Sequence, residues 1–507
     1  MASTEFNKYT NSPDFKALLR KYENAMESGE LVYFDFDDII DIAEYYHMQG
    51  DMEQAEAVAD YCLRLFPGNS AALLFKARMA LIDFHDVDKA KAIMEEIGPD
   101  SESLEVAYVK AEIMINEGEV DEAEEYLERW YRRIKAREDA PEGTSYDDPD
   151  EGDEEDAGVR LFDFVIEVSF MFIDNDFVKQ AERWIARVSR PEGDDAIDYF
   201  DVWAKIYMAR CKWVEAERAL NSMIDVDAFN YNAWLMMSEA QFRQARYHDA
   251  LQSVEYAVAI SPGSPEPYLT RGNCLYTLGD LEGARRSFER MLEITPGDAV
   301  AELLLASTLL CLKEVDEAYG VVRKLLTHID DLPLMQKIEA LQSCATICAK
   351  AGNQDIAMEC CDMLEKEGVW LAETELARGT VYLEAADVDK AMQHFNNAVF
   401  VSDQSEDIMV RIAGRLYDAG AAFTAYKMLK QVLEPYRDGG YGVEQRQALA
   451  YMAAASRACG TREEYLHYLE HAVRLSPLDV SCVLSEYFPK GTEPSQYLEI
   501  EKNRKEC

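Results

Sequence analysis

Three alanines set the terms for this chain: Ala250, Ala284 and Ala318 stand 34 residues apart, and Pro262 precedes Pro296 by the same interval. A fixed period of this length means that one supersecondary unit is repeated, and that a unit unable to bury its apolar face alone must stack on its neighbours. Within the unit around Ala284, Tyr268, Arg271, Gly272 and Leu275 recur at helical spacing. Gly279-Asp280 then breaks the pattern, and Ala284, Phe288 and Met291 resume it. The spacing predicts two short helices joined by a tight turn. Gly272 and Ala284 fall where the two backbones approach most closely, Phe288 fills the space beside them, and Pro296 ends the second helix because it has no N–H.

Followed in both directions, the alanine of the second helix recurs as Ala55, Ala90, Ala123, Ala181, Ala216, Ala250, Ala284, Ala318, Ala357, Ala391 and Ala425, and Tyr465 holds the slot in a last unit. Trp234, Ser238, Ala245, Tyr247, Ala250, Ala257 and Pro262, and again Gly379, Tyr382, Ala391, Phe395 and Ala398, resemble the tetratricopeptide repeat. Gln241, Asp330 and Asp403 depart from its preferred residues. The resemblance implies an all-α fold, a right-handed α-solenoid of about twelve tetratricopeptide-type helix pairs with helical caps. It also implies that the first helices line a concave surface that holds protein segments.

Residues 1–35 are expected to carry an N-terminal capping helix over residues 13–28, opened by Ser12-Pro13 and apolar along Phe15, Leu18, Leu19, Tyr22 and Met26. Repeats follow over 36–136 and 159–479. The second helix of the third unit is expected to run on through Trp130 to about Lys135. Val480, Val483, Leu484 and Tyr487 are expected to cap the other end within 480–507. Between the two repeat blocks lies 137–158. Its stretch from Glu138 to Asp156 holds eleven acidic residues and no basic ones, too little apolar surface to offset ordering entropy, so disorder is expected there. Its length over one period places it in a turn between repeats, where stacking need not be interrupted.

The net charge of −46 comes from 97 acidic against 51 basic residues. That balance argues against nucleic-acid and anionic-membrane partners, which need positive potential. No run is long and apolar enough to cross a bilayer, the amino terminus has no export pattern, and the eleven cysteines show no disulfide framework. A cytoplasmic protein is expected.

Taking the first-helix face opposite the packing positions gives Asp37, Ile40, Glu44 and His47; Glu105, Tyr108, Glu112 and Ile115; Asp163, Ile166, Phe170 and Ile173; Asp198, Asp201, Lys205 and Met208; Asn232, Leu235, Glu239 and Phe242; and Glu266, Leu269, Asn273 and Tyr276. Carboxylates interleaved with apolar side chains suit a basic amphipathic protein segment, apolar anchors giving affinity and charge giving association rate. The alternative is that these are ordinary solvated faces. Gripping a terminal carboxylate, as some family members do, is disfavoured, because Glu112 and Glu239 have the wrong sign.

No phosphate-binding loop, G-x-S-x-G elbow or dinucleotide fingerprint is present, so no enzyme activity and no cofactor is expected. Cys344, Cys348, Cys360 and Cys361 share one repeat but lack C-x-x-C spacing, and His467 and His471 lack the glutamate of a zinc-protease motif. The sequence thus points to a non-enzymatic scaffold. A structural subunit using convex or lateral surfaces, and a thiol or metal activity at Cys344–Cys361, are the competing readings.

Overall fold

The computed structural model describes residues 9–10, 12–28, 32–84, 86–97, 103–140, 159–368, 371–437, 440–442, 445–489 and 492–504. Among these residues the regular structure is helical and there is no strand. The chain divides into two compact units, Met1–Arg190 and Pro191–Cys507. The acidic stretch from Pro141 onward, the first eight residues and the last three lie outside the described residues.

In unit 1, α1 (Pro13–Ser28) precedes α2 (Phe36–Met48), α3 (Met52–Leu65), α4 (Ser70–Ile82), α5 (Val87–Ile97), α6 (Leu104–Asn116), α7 (Val120–Glu138), α8 (Leu161–Asp174) and α9 (Val178–Ile185). Unit 2 continues with α10 (Asp195–Ala209), α11 (Trp213–Val226), α12 (Tyr231–Arg243), α13 (Tyr247–Ile260), α14 (Glu266–Leu278), α15 (Leu281–Ile294), α16 (Ala299–Cys311), α17 (Val315–Thr327), α18 (Leu334–Lys350) and α19 (Gln354–Lys366). It ends with α20 (Leu371–Glu384), α21 (Val388–Val401), α22 (Glu406–Asp418), α23 (Ala422–Leu433), α24 (Arg446–Cys459), α25 (Arg462–Leu475), α26 (Pro477–Leu484) and α27 (Pro494–Asn503). From α2 onward the helices pack two by two as antiparallel pairs, and pairs stack in chain order within each unit. Each unit is an all-α solenoid.

The alanine named in every second helix from Ala55 to Ala425 has no exposed surface, and Tyr465 in the same slot is 4% exposed. The matching feature of the first helix is a small residue. A Cβ on Gly272 would enter the ring of Phe288, and one on Gly379 would lie 2.5 Å from the Phe395 ring, well inside ordinary van der Waals contact. In the last pair, whose slot holds Tyr465, the first helix α24 buries Ala448, Ala450, Ala453, Ala454 and Ala455.

In ten of the pairs the turn is equally regular. The residue five before the repeat alanine has positive φ, whether it is Gly50, Gly118, Gly279, Gly352 or Gly420, or Asp176, Cys211, Ala245, Lys313 or Ala386. One left-handed residue is what closes the first helix and re-aims the chain. The next residue opens the second helix. Asp51, Asp280 and Asp387 accept hydrogen bonds from the backbone N–H groups of Gln54, Gly283 and Lys390 at 3.1, 3.0 and 3.3 Å, satisfying donors that a helix start leaves open.

At the amino end, Phe15 and Tyr22 on α1 are buried against Tyr45 and Tyr61, with ring centroids at 5.3 and 5.8 Å. Stacking also continues from α7 to the α8–α9 pair on either side of the acidic stretch. Arg183 and Arg187 of α9 pair with Glu124 and Glu128 of α7 at 2.7 and 2.5 Å. The carboxyl end holds one helix more than the periodicity shows: α26 stops at Leu484, and α27 follows with Pro494 in its first turn. Among the described residues no helix is long and apolar enough to cross a membrane.

Two glycines separate close approach from mere helix propensity. Gly272→Ala should destabilise the protein by about 1–3 kcal/mol through overpacking against Phe288. Gly320→Ala, in α17 with nothing within 4 Å of its Cβ, should stabilise it by about 0.5–1 kcal/mol. Thermal melts of the two variants should move in opposite directions.

Candidate functional site: the strip along the first helices

First helices of successive pairs lie against one another. In unit 1 this links α2, α4 and α6, and in unit 2 it links α12 with α14 and runs from α16 through α24. The faces these helices share therefore merge into a strip within each unit.

In unit 1 the strip is a carboxylate cluster around one arginine. Arg78 of α4 lies 3.5 Å from Glu105 of α6. Burial holds the carboxyl of Glu44 above its ordinary range, with repulsion from Asp41 and Glu105 adding to it and Arg78 opposing it. Burial likewise raises Glu112, with Arg78 opposing and Asp174 adding. Asp41 is raised by burial as well, then by Asp38 and Asp37. Arg78 thus serves several carboxylates that none of the other described cations reaches at ion-pair distance. His47 bonds Asp83 at 2.9 Å, Tyr108 stacks on Phe164 at 5.9 Å, and Asp163 is held by Arg160 at 2.8 Å. Asp37 is exposed and Phe170 half-buried, while Ile115 and Ile166 point into the core.

In unit 2 the same face changes character. Asp201 pairs with Lys205 at 3.4 Å and Glu239 with Arg243 at 3.0 Å, each one helical turn away, so these carboxylates carry their own counter-charge. Asp198 and Asn273 are half-buried. Glu266 accepts from the Tyr231 hydroxyl at 3.0 Å, the Tyr276 hydroxyl lies 3.2 Å from Cys311 Sγ, and Phe242 meets Tyr247 edge-on at 5.2 Å.

Farther along, a cavity of about 410 Å³ is lined by Gln342, Thr346, Thr380, Arg411, Arg415, Asp418, Gln447 and Tyr451, among others. Arg411 is clamped by Glu373 through two bonds of 2.7 and 2.9 Å and reaches Gln342 at 3.1 Å. Arg415 is exposed, with no carboxylate at ion-pair distance among the described residues. Burial lifts the carboxyl of Asp418, against the pull of Arg415 and Lys350. Gly414 is what admits Tyr451 to this wall, since a Cβ there would lie 2.9 Å from its ring.

Spacing alone did not single out Arg78, because the turn between α4 and α5 is one residue longer than that between α2 and α3. Allowing for that residue, Arg78 occupies the register of Glu44. Arg411, Arg415 and Tyr451 appear when the same face is followed beyond Tyr276.

The cysteines of α18 and α19 have no exposed surface: Cys344, Cys348, Cys360 and Cys361 all lie in the apolar core. Burial pushes Cys348 up to about 11 and Cys360 and Cys361 to about 12. Thiols held in the neutral form act there as small apolar fillers rather than as nucleophiles. His467 and His471 lie 4.7 Å apart between ring centroids, with Tyr441 5.0 Å from His471.

Two family models described as tetratricopeptide repeat match residues 202–265 and 239–307. Protein CTR9 homolog of Arabidopsis thaliana is 24% identical over 301 residues, which is 55% of this chain and 26% of that protein, so the chain spans little of its relative's length. Among solved structures, yeast Tom70 is similar at 14% identity over 90% of this chain and 95% of that one, with a TM-score of 0.41. The human IFIT1 dimer with PPP-AAAA is similar at 15% identity over 88% and 96%, with a TM-score of 0.42. The matched stretches fall on α10 to α16 and are tetratricopeptide repeats, and helix pairs continue on both sides of them within the chain.

Proposed function

We propose that this chain is a non-enzymatic protein-interaction scaffold whose first-helix strips hold polypeptide segments, and that unit 1 selects basic ones. One observation carries the reading. Glu44, Glu105 and Glu112 converge on a single Arg78, and Glu44 and Glu112 are held above their ordinary range by burial first, then by Asp41 and Glu105 at Glu44 and by Asp174 at Glu112. A lysine or arginine from a partner relieves that repulsion, whereas an acidic partner compounds it. Tyr108 and Ile40 border the cluster and supply apolar contact. In unit 2, Gln447 and Thr346 line the cavity with an amide and a hydroxyl that match a peptide backbone, and Arg415 favours an acidic side chain at that point of the segment.

The test uses a peptide array graded from acidic to basic, probed with the full chain. Basic peptides should be retained, and Glu44→Gln with Glu112→Gln should weaken them about tenfold, or ~1.4 kcal/mol. The same double variant should melt at a higher temperature at neutral pH. A carboxyl raised in the folded state contributes an unfavourable term that grows as pH climbs above the ordinary 4.5, and glutamine removes it. Weaker binding in a more stable protein cannot come from misfolding. Retention of acidic peptides, or an unchanged profile in the double variant, would overturn the reading.

Ionisation of these carboxyls also sets a pH dependence. Binding of a basic peptide should tighten as pH rises from the ordinary 4.5 of a glutamate towards neutrality, because the cation binds the charged form. Higher salt should slow association. Affinity that is flat over this interval would contradict the assignment.

A further inference from the structure

The last two helices of unit 2 have two sets of neighbours. On one side they extend the stack: α26 lies along α24 and α27 along α25. Val480 and Leu484 are fully buried there, Tyr497 is 2% exposed, and its ring stacks on Phe488 at 3.7 Å. On the other side α26 also packs against α12, near the start of the same unit. The stack therefore returns on itself.

The residues at this closure differ from those in the stack. Tyr247, the first residue of α13, faces Ser481, with Cys482, Tyr497 and Cys274 around it. Its hydroxyl is shut off from solvent and has no partner at hydrogen-bond distance among the described residues. Ser481 is itself buried, at 8% exposure. Burying the Tyr247 hydroxyl without a well-formed bond, with only Ser481 beside it, is unfavourable, so the closing contact is weaker than the apolar packing that holds α26 to α24. Cys482 and Asp479 also stand near Tyr451, the residue that walls the arginine cavity. One short helix thus touches both ends of the inner strip.

We propose that α26 and α27 are a releasable clasp, anchored on α24 and α25 and closing unit 2 by docking Ser481 of α26 against Tyr247. With the clasp shut, the strip of unit 2 faces the inside of a closed loop of helices; with it open, a chain can be laid in from the side. The consequence for ligand entry rests on the peptide-binding reading above, whereas the clasp itself does not.

The experiment uses the full chain with Cys311, Cys459 and Cys507 replaced by serine, which leaves Cys482 as the exposed thiol of this region among the described residues. Tyr247→Cys is added, and the protein is treated with a short bismaleimide. Peptide mapping should find 247 joined to 482. Ser481→Arg, which places a charge in the closure, should cut the yield at least tenfold and enlarge the radius of gyration in small-angle scattering, with the helical signal retained. Tyr247→Glu introduces the same conflict from the opposite side and should enlarge the scattering radius likewise. If 247 and 482 each react with a monofunctional maleimide yet are not joined, the closure is wrong. If they are joined and neither charged variant changes the scattering, the contact is a fixed part of the fold and not a clasp. Peptide retention by the open variants is scored separately: its absence would count against the peptide reading and leave the crosslink result standing.

Discussion

The contact on which the rest depends is the near approach of two helix backbones at a residue with no room for anything longer than a methyl group. Every pair from α2–α3 to α22–α23 makes it at an alanine with no exposed surface. Close approach lets the aromatic at the neighbouring turn, Phe288 or Phe395, lie flat on Gly272 or Gly379 of the first helix. It also fixes the pair angle, and with it the direction in which the next pair stacks. Tyr465 marks the one pair whose slot holds a large side chain, and the first helix of that pair, α24, is rich in buried alanine.

This constraint explains what could be read from residues alone. The period, the alanine slot, the Gly272–Phe288 contact and the cap over residues 13–28 are statements about size and spacing, and a sequence displays both directly. The left-handed turn was visible at Gly279, because glycine marks such a conformation, but not at Asp176, Cys211, Ala245, Lys313 or Ala386. There the two flanking helices impose positive φ on residues that do not favour it. The register of Arg78 was hidden by a single extra turn residue. Helix α27 and its return to the stack were hidden because they follow no period, and the contact between α26 and α12 joins residues far apart in the chain.

Because each first helix presents one face to the strip, the scaffold can change chemistry from pair to pair without changing its packing. The register of Glu44 holds Arg78 in the next pair, Glu112 in the third, Lys205 in the fifth, Asn273 in the seventh and Gly414 in the eleventh. Charge alone is therefore a poor guide to the strip. Unit 1 keeps carboxylates that lack enough counter-charge, whereas in unit 2 Asp201, Glu239 and Glu373 carry their own cations. The net charge of −46 describes the outer surface as much as any recognition site.

The central claim is most directly tested by calorimetric unfolding of Ala284→Leu. The added side chain is compatible with a helix and apolar, so only the lack of room at the α14–α15 contact opposes it. The account predicts a loss of about 1–3 kcal/mol and a lower melting temperature. A melting temperature equal to or above that of the unmodified chain would show that the pairs do not depend on close approach at the repeat alanine.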